Sequence, residues 1–159
     1  MKDYVCELIF VGDSAVVYKA LTSPEGLAGW WTADCDVRRK VGEQSTFRFG
    51  ATRNVMKITQ LVPDREVRWE CVEQFLPPAD KFAKSDEWVG TRPVFILNGR
   101  NGGGTELYFM HKGLHPGLGC YQSCAVGWDH YLKVSLKQYV DKGAGHPYKG
   151  NAEVAEAQR

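Results

Sequence analysis

The stretch from Cys120 to Lys142 constrains the fold more than any other part of the chain. Stepped at about 100° per residue, Tyr121, Cys124, Ala125, Trp128, Tyr131, Leu132, Leu136 and Tyr139 fall within an arc of roughly 140°. Ser135 is the one polar member of that arc, and Gln122, Ser123, His130, Lys133, Lys137 and Gln138 lie opposite. The pattern predicts one helix of about six turns, about 34 Å long. Gly143 stands where a left-handed cap residue belongs, and the charge of Lys142 suits the carbonyl end. An aromatic stripe of this length must be covered, and the rest of the chain offers mostly short strands to cover it.

Tyr4 to Val11 reads as the first strand, stopped by Gly12-Asp13-Ser14, which also supplies an N-cap. Ala15 to Leu21 follows as a short helix with Val17, Ala20 and Leu21 inward. A second short helix starts at Thr22-Ser23-Pro24-Glu25, either capped by Ser23 with Pro24 at its first position or by a Thr22–Glu25 box. It ends near Trp30-Trp31. Adjacent helical residues point about 100° apart, so one indole is expected in the core and the other at a cavity mouth.

From residue 35 the period changes to two. Gln44 to Gly50 puts Ser45, Phe47 and Phe49 on one face, and Asn54 to Leu61 does the same with Met56 and Ile58. Glu66 to Val72 alternates with Val67, Trp69 and Cys71 inward. Gln74 to Glu87 is a Pro-containing excursion with Phe75 and Phe82, and Trp88 to Leu97 reads as the next strand. Asn98 to Gly104 is a hairpin signal, and Thr105 to Lys112 returns with Leu107, Phe109 and His111 on one face. Short connections imply antiparallel neighbours. The expectation is an α+β fold: a curved antiparallel sheet of about seven strands wrapped around the C-terminal helix, with two short helices between the first and second strands. A sheet closing on one helix need not fill its interior, and the leftover space becomes a cavity. Residues 1–143 form one domain in this reading, and 144–159 a polar tail.

Composition narrows the function. Hydrophobic residues make up 43% and charged residues 25%, the ordinary globular balance. A formal net charge of +1, with Arg38-Arg39-Lys40 as the densest basic patch, argues against a nucleic-acid partner. The longest apolar runs, such as Leu8 to Val11, fall far short of about 20 residues, so no membrane span is expected. Met1 to Phe10 carries Lys2, Asp3 and Glu7 and no signal-peptide pattern. The five cysteines, Cys6, Cys35, Cys71, Cys120 and Cys124, are odd in number and include no Cys-x-x-Cys pair. Free thiols and a cytoplasmic location are expected. Cys120 and Cys124 could touch one metal, but nothing nearby completes a ligand set. No phosphate loop is present, because Asn101-Gly102-Gly103-Gly104 is not followed by a helix. No cofactor, metal or catalytic residue is assigned.

Several stretches taken together resemble a known family. They are Ser23-Pro24-Glu25 leading to Trp30-Trp31, Val67-Arg68-Trp69, and Trp88-Val89-Gly90-Thr91 with Phe95. After them come Gly104-Thr105-Glu106-Leu107, His111-Lys112-Gly113-Leu114, and Gly127-Trp128 with Leu132, Leu136 and Tyr139. In this order they resemble the START-like, or SRPBCC, superfamily, in the branch named after the activator of the heat-shock-protein-90 ATPase. The resemblance covers roughly residues 3 to 143. It implies a helix-grip fold around a hydrophobic cavity. Members bind lipids, sterols, polyketides and other apolar molecules, and a few are cyclases or hydrolases. The chaperone role of the founding members depends on an additional N-terminal domain; this chain opens at its first strand, so chaperone activation is not the expected role.

The expected function is therefore binding or carriage of a small apolar molecule between sheet and helix. The alternatives are an enzyme of the cyclase or hydrolase kind using His111, or a module that engages a protein partner through the sheet edge. The candidate ligand-binding residues are Trp31, Phe47, Phe49, Trp69, Phe95, Phe109, His111, Cys124, Trp128 and Tyr131. About half of the aromatics are expected to be core. Among the four histidines only His111 shares a face with core residues, and it is the one candidate acid or base.

Overall fold

The computed structural model describes residues 2–77 and 85–150. Phe82 lies outside the described residues, as does the end of the tail, 151–159. Seven strands are named in chain order: β1 (Tyr4–Phe10), β2 (Cys35–Asp36), β3 (Gln44–Phe49), β4 (Thr52–Val62), β5 (Glu66–Phe75), β6 (Arg92–Gly99) and β7 (Thr105–Lys112). They make one antiparallel sheet in the order β1-β7-β6-β5-β4-β3-β2. Two helices, α1 (Ser14–Thr22) and α2 (Pro24–Trp30), separate β1 from β2. Asp13 caps α1 through Val16 N, and Ser23 caps α2 through Gly26 N with Pro24 in the first turn.

The long C-terminal helix is present over 121–142, with one departure from regularity. Between α3 (Tyr121–Trp128) and α4 (Lys137–Lys142), the segment Asp129–Leu136 is π-helical. The aromatic stripe still faces the sheet: Trp128, Leu132, Ser135 and Leu136 are buried, and Tyr121, Cys124, Ala125, Tyr131 and Tyr139 are half-buried. Ser135, the polar member of the stripe, is fully buried because its hydroxyl donates to Trp30 O at 2.6 Å and accepts from His146 N at 2.7 Å. Gly143 caps the helix in the left-handed region at φ 88°. The chain beyond it turns back onto the body. Tyr148 N donates to Trp31 O, Ala33 N donates to Tyr148 O, and the Tyr148 ring lies 5.8 Å from Phe49.

Three local expectations are corrected. Trp88 is not on a strand; it lies in a run of turns over 85–90, and β6 begins at Arg92. Strand β5 continues to Phe75 rather than ending at Val72. The pairing runs from Val55↔Glu73 to Met56↔Cys71, so Val72 is an extra residue, a β-bulge. Finally, Trp30 and Trp31 are not held apart: both are buried, at 0% and 2% exposure, although only Trp31 also borders the cleft described below. Trp31 is the residue that ends α2, and its ring stacks on Trp30 at 5.9 Å.

Candidate functional site

The helix stripe and the concave face of the sheet meet through an aromatic ladder containing all five tryptophans of the chain. Trp31 stacks on Trp30, on Trp69 at 5.8 Å and on Trp128 at 5.3 Å, and Trp128 stacks on Trp88 at 5.9 Å. On one side of the ladder the interior is filled. On the other, between α3 and the paired ends of β4 and β5, a cleft of about 200 Å³ remains.

Five of the sequence candidates line this cleft: Trp31, Phe49, Cys124, Trp128 and Tyr131. The other five do not. Phe47, Phe95 and Phe109 are 0% exposed, and Trp69 is 3% exposed. They form the filled layer under the cleft, with Phe95 to Phe109 at 4.8 Å and Phe47 to Trp69 at 5.8 Å.

His111 is the fifth. Its side chain enters the interior with Leu107 and Phe109, as period two requires, but Trp88 and Trp128 stand edge-on against it. Its hydrogen bonds fix its chemistry. The Trp128 indole N–H, which can only donate, meets His111 Nδ1 at 3.0 Å. The Thr91 hydroxyl donates to Trp88 O at 2.6 Å and so accepts from His111 Nε2, 2.7 Å away. The ring is therefore the neutral Nε2–H tautomer with both nitrogens engaged. Burial holds its pKa down, to about 3 against an ordinary 6.5. The imidazole joins strand, turn and helix, and has no nitrogen left to serve as acid or base in the cleft.

The polar part of the cleft comes from residues that sequence reasoning did not select. Gln74 Nε2 donates to Asn54 Oδ1 at 2.9 Å, and Gln74 Oε1 accepts from Trp88 N at 2.8 Å. Both amides line the cleft and are nearly buried, Asn54 at 3% and Gln74 at 8% exposure. Asn54 has the same parity as Met56 and Ile58 on β4, a signal the sequence did contain. Gln74 had none. Strict alternation after Val67, Trp69 and Cys71 turns Glu73 inward, and only the bulge at Val72 turns Gln74 inward instead.

The mouth is formed by the exposed Ser123, by Gly127 and Leu76, and by a pair of thiols. The Trp88 indole N–H donates to Cys124 Sγ at 3.2 Å. A hydrogen bond with Cys124, and then burial, push the Cys120 thiol pKa up, so it stays protonated. Glu87 caps the start of α3 by accepting from Gly119 N and Cys120 N. All five cysteines are free. Among the described residues no group of three or more His, Cys, Asp or Glu side chains could hold a metal ion.

Comparison with solved structures gives the same architecture. The solution structure of the Aha1 dimer from Colwellia psychrerythraea aligns with a TM-score of 0.76 and 28% identity over 91% of this chain and 100% of that one. The crystal structure of MLL2253 from Mesorhizobium loti aligns with a TM-score of 0.67 and 18% identity over 83% and 92%. The DynU16 protein of the dynemicin biosynthetic locus aligns with a TM-score of 0.70 and 14% identity over 95% and 51%, a likeness of fold alone. No curated protein matches the sequence. The sequence model described as "Activator of Hsp90 ATPase homolog 1-like protein" matches residues 13–141, and with the helix-grip fold in place this chain belongs to that family.

Proposed function

We propose that the protein binds or carries a small, largely apolar molecule in the cleft between α3 and the ends of β4 and β5. The observation that carries this reading is the lining: three indoles, Trp31, Trp88 and Trp128, with Phe49, Tyr131 and Leu76, around one amide pair. Pockets for small molecules have this composition, an apolar wall with few placed polar groups. A cytoplasmic location fits the five free thiols; no helix among the described residues is long and apolar enough to cross a membrane. Three of the five tryptophans line the cleft, so a bound molecule should change intrinsic fluorescence. Titration with a panel of fatty acids, flavonoids and an uncharged solvatochromic dye is expected to give at least one saturable change at micromolar concentration, about −8 kcal/mol. If no compound in a broad panel saturates, the reading is wrong.

A protein partner is the second reading, and one observation favours it. Strand β1 is an edge of the sheet, and Val5 and Ile9 on it are 42% and 49% exposed. A cyclase or hydrolase activity draws no comparable support, because its candidate, His111, is closed off from the cleft.

A further inference from the structure

The amide pair in the cleft has a direction, and that direction selects a ligand. A backbone N–H has one role, so Trp88 N fixes the Gln74 oxygen as the atom that faces it. The Gln74 nitrogen is then the donor to Asn54, which fixes Asn54 Oδ1 as the acceptor. What the relay leaves over at its end is the Asn54 amide nitrogen, a group with two N–H bonds and no lone pair to offer. It makes no hydrogen bond to any described residue, yet among the described residues no buried side-chain nitrogen or oxygen lacks a partner. With Asn54 3% exposed and lining the cleft, the cleft is where that nitrogen reaches accessible space. The Trp31 indole N–H is in the same position: no acceptor among the described residues, 2% exposure, and a place in the lining. The deep part of the cleft thus offers donors.

Charge completes the selection. No Lys or Arg among the described residues lines the cleft, and the Glu87 carboxylate bonds the backbone of Cys120 at its edge. A carboxylate or phosphate entering here loses its water with no cation to replace it. A neutral carbonyl accepts from the Asn54 amide without that cost. At about 200 Å³ the cleft is smaller than the roughly 300–1,000 Å³ of drug-sized sites, so the enclosed part of the ligand is about the size of a fused ring pair.

We infer that the cleft is a site for uncharged, carbonyl-bearing apolar molecules (aryl ketones, quinones, lactones), whose oxygen takes the Asn54 Nδ2 hydrogen bond while the ring system lies against Trp31 and Trp128. This inference rests on the binding reading above and adds the ligand class.

The test uses three probes of one shape: 2-acetylnaphthalene, 2-ethylnaphthalene and 2-naphthoate, measured by equilibrium dialysis against the full chain and against Asn54→Leu. Comparing each probe across the two proteins cancels its own cost of leaving water. The ketone is expected to lose about tenfold in affinity in Asn54→Leu, the value of one hydrogen bond in a dry site, while 2-ethylnaphthalene binds as well or better. The carboxylate is expected to bind the parent more weakly than the ketone. If Asn54→Leu does not fold, the carbonyl stretch of 2-acetylnaphthalene bound to the parent decides. It should shift down from its hexane position toward its position in water, and a hexane-like band overturns the assignment. If 2-ethylnaphthalene binds but the ketone shows neither the loss nor the shift, the donor assignment fails and the cleft reading stands. If no probe binds, both fail.

Discussion

Two helical glycines show how differently the two ends of the interior are built. A Cβ added at Gly26 in α2 would come within 2.7 Å of the Cα and carbonyl oxygen of Ala20, backbone atoms of the preceding helix. A Cβ added at Gly127 in α3 would meet nothing within 4 Å. Gly26 sits where α2 meets α1, and the inward residues of the two helices, Val17, Ala20, Leu21, Leu27 and Trp30, are all at 2% exposure or less. Around Gly127 lies the cleft. One helix stripe therefore serves two purposes. Where it carries Leu132 and Leu136 it fills the space above the sheet; where it carries Cys124 and Gly127 it leaves that space open. The closed end supplies stability, and the open end holds the cleft that the closed end keeps in shape.

The largest effect expected from this comparison is at the closed layer. Phe109→Ala removes a fully buried ring in contact with Phe95 and Trp128 and should cost about 3–5 kcal/mol in urea unfolding. A cost under about 1 kcal/mol would mean that this layer is not the filled core described above. Next is Gly26→Ala, expected to destabilise by about 1–3 kcal/mol because the methyl must displace backbone.

His111 joins the two ends and gives them a pH dependence of known sign. The unfolded chain binds its proton near pH 6.5, and the folded chain only near pH 3. Between those values the unfolded state holds one more proton, so stability is complete above about pH 6.5 and falls as the pH drops. The fall from this group alone should reach about 2 kcal/mol by pH 5, at about 1.4 kcal/mol per pH unit. His111→Gln can still accept from Trp128 and donate to Thr91 without titrating, so its acid limb should be shallower by one proton. An unchanged limb would place the acid sensitivity elsewhere. The smallest effect is at the open end: Gly127→Ala should stabilise by about 0.5–1 kcal/mol, the ordinary gain in a helix with room for the methyl.

The closed end was the more legible in the sequence, for a physical reason. Its residues obey one period per element, and Val17, Ala20 and Leu21 on α1 or Phe47 on β3 are inward by simple counting. The open end depends on breaks in that counting. The bulge at Val72 turns Gln74 inward, the turn over 85–90 delivers Trp88, and Trp31 reaches the ladder because the helix ends there. Alternation also makes Phe95, Phe109 and His111 equivalent to Phe49 as inward-facing residues. Only the sheet order separates them, placing β6 and β7 under the filled layer and β3 and β4 beside the cleft.

The central claim, that the unfilled space beside Gly127 is a binding site, is tested most directly by filling it. Gly127→Leu adds a good helix former where nothing lies within 4 Å, so its urea unfolding midpoint should match or exceed the parent's. An uncharged dye such as Nile red, titrated against both proteins, should bind the parent saturably and bind Gly127→Leu at least tenfold more weakly. Equal affinity for the two, with both folded, would contradict the account.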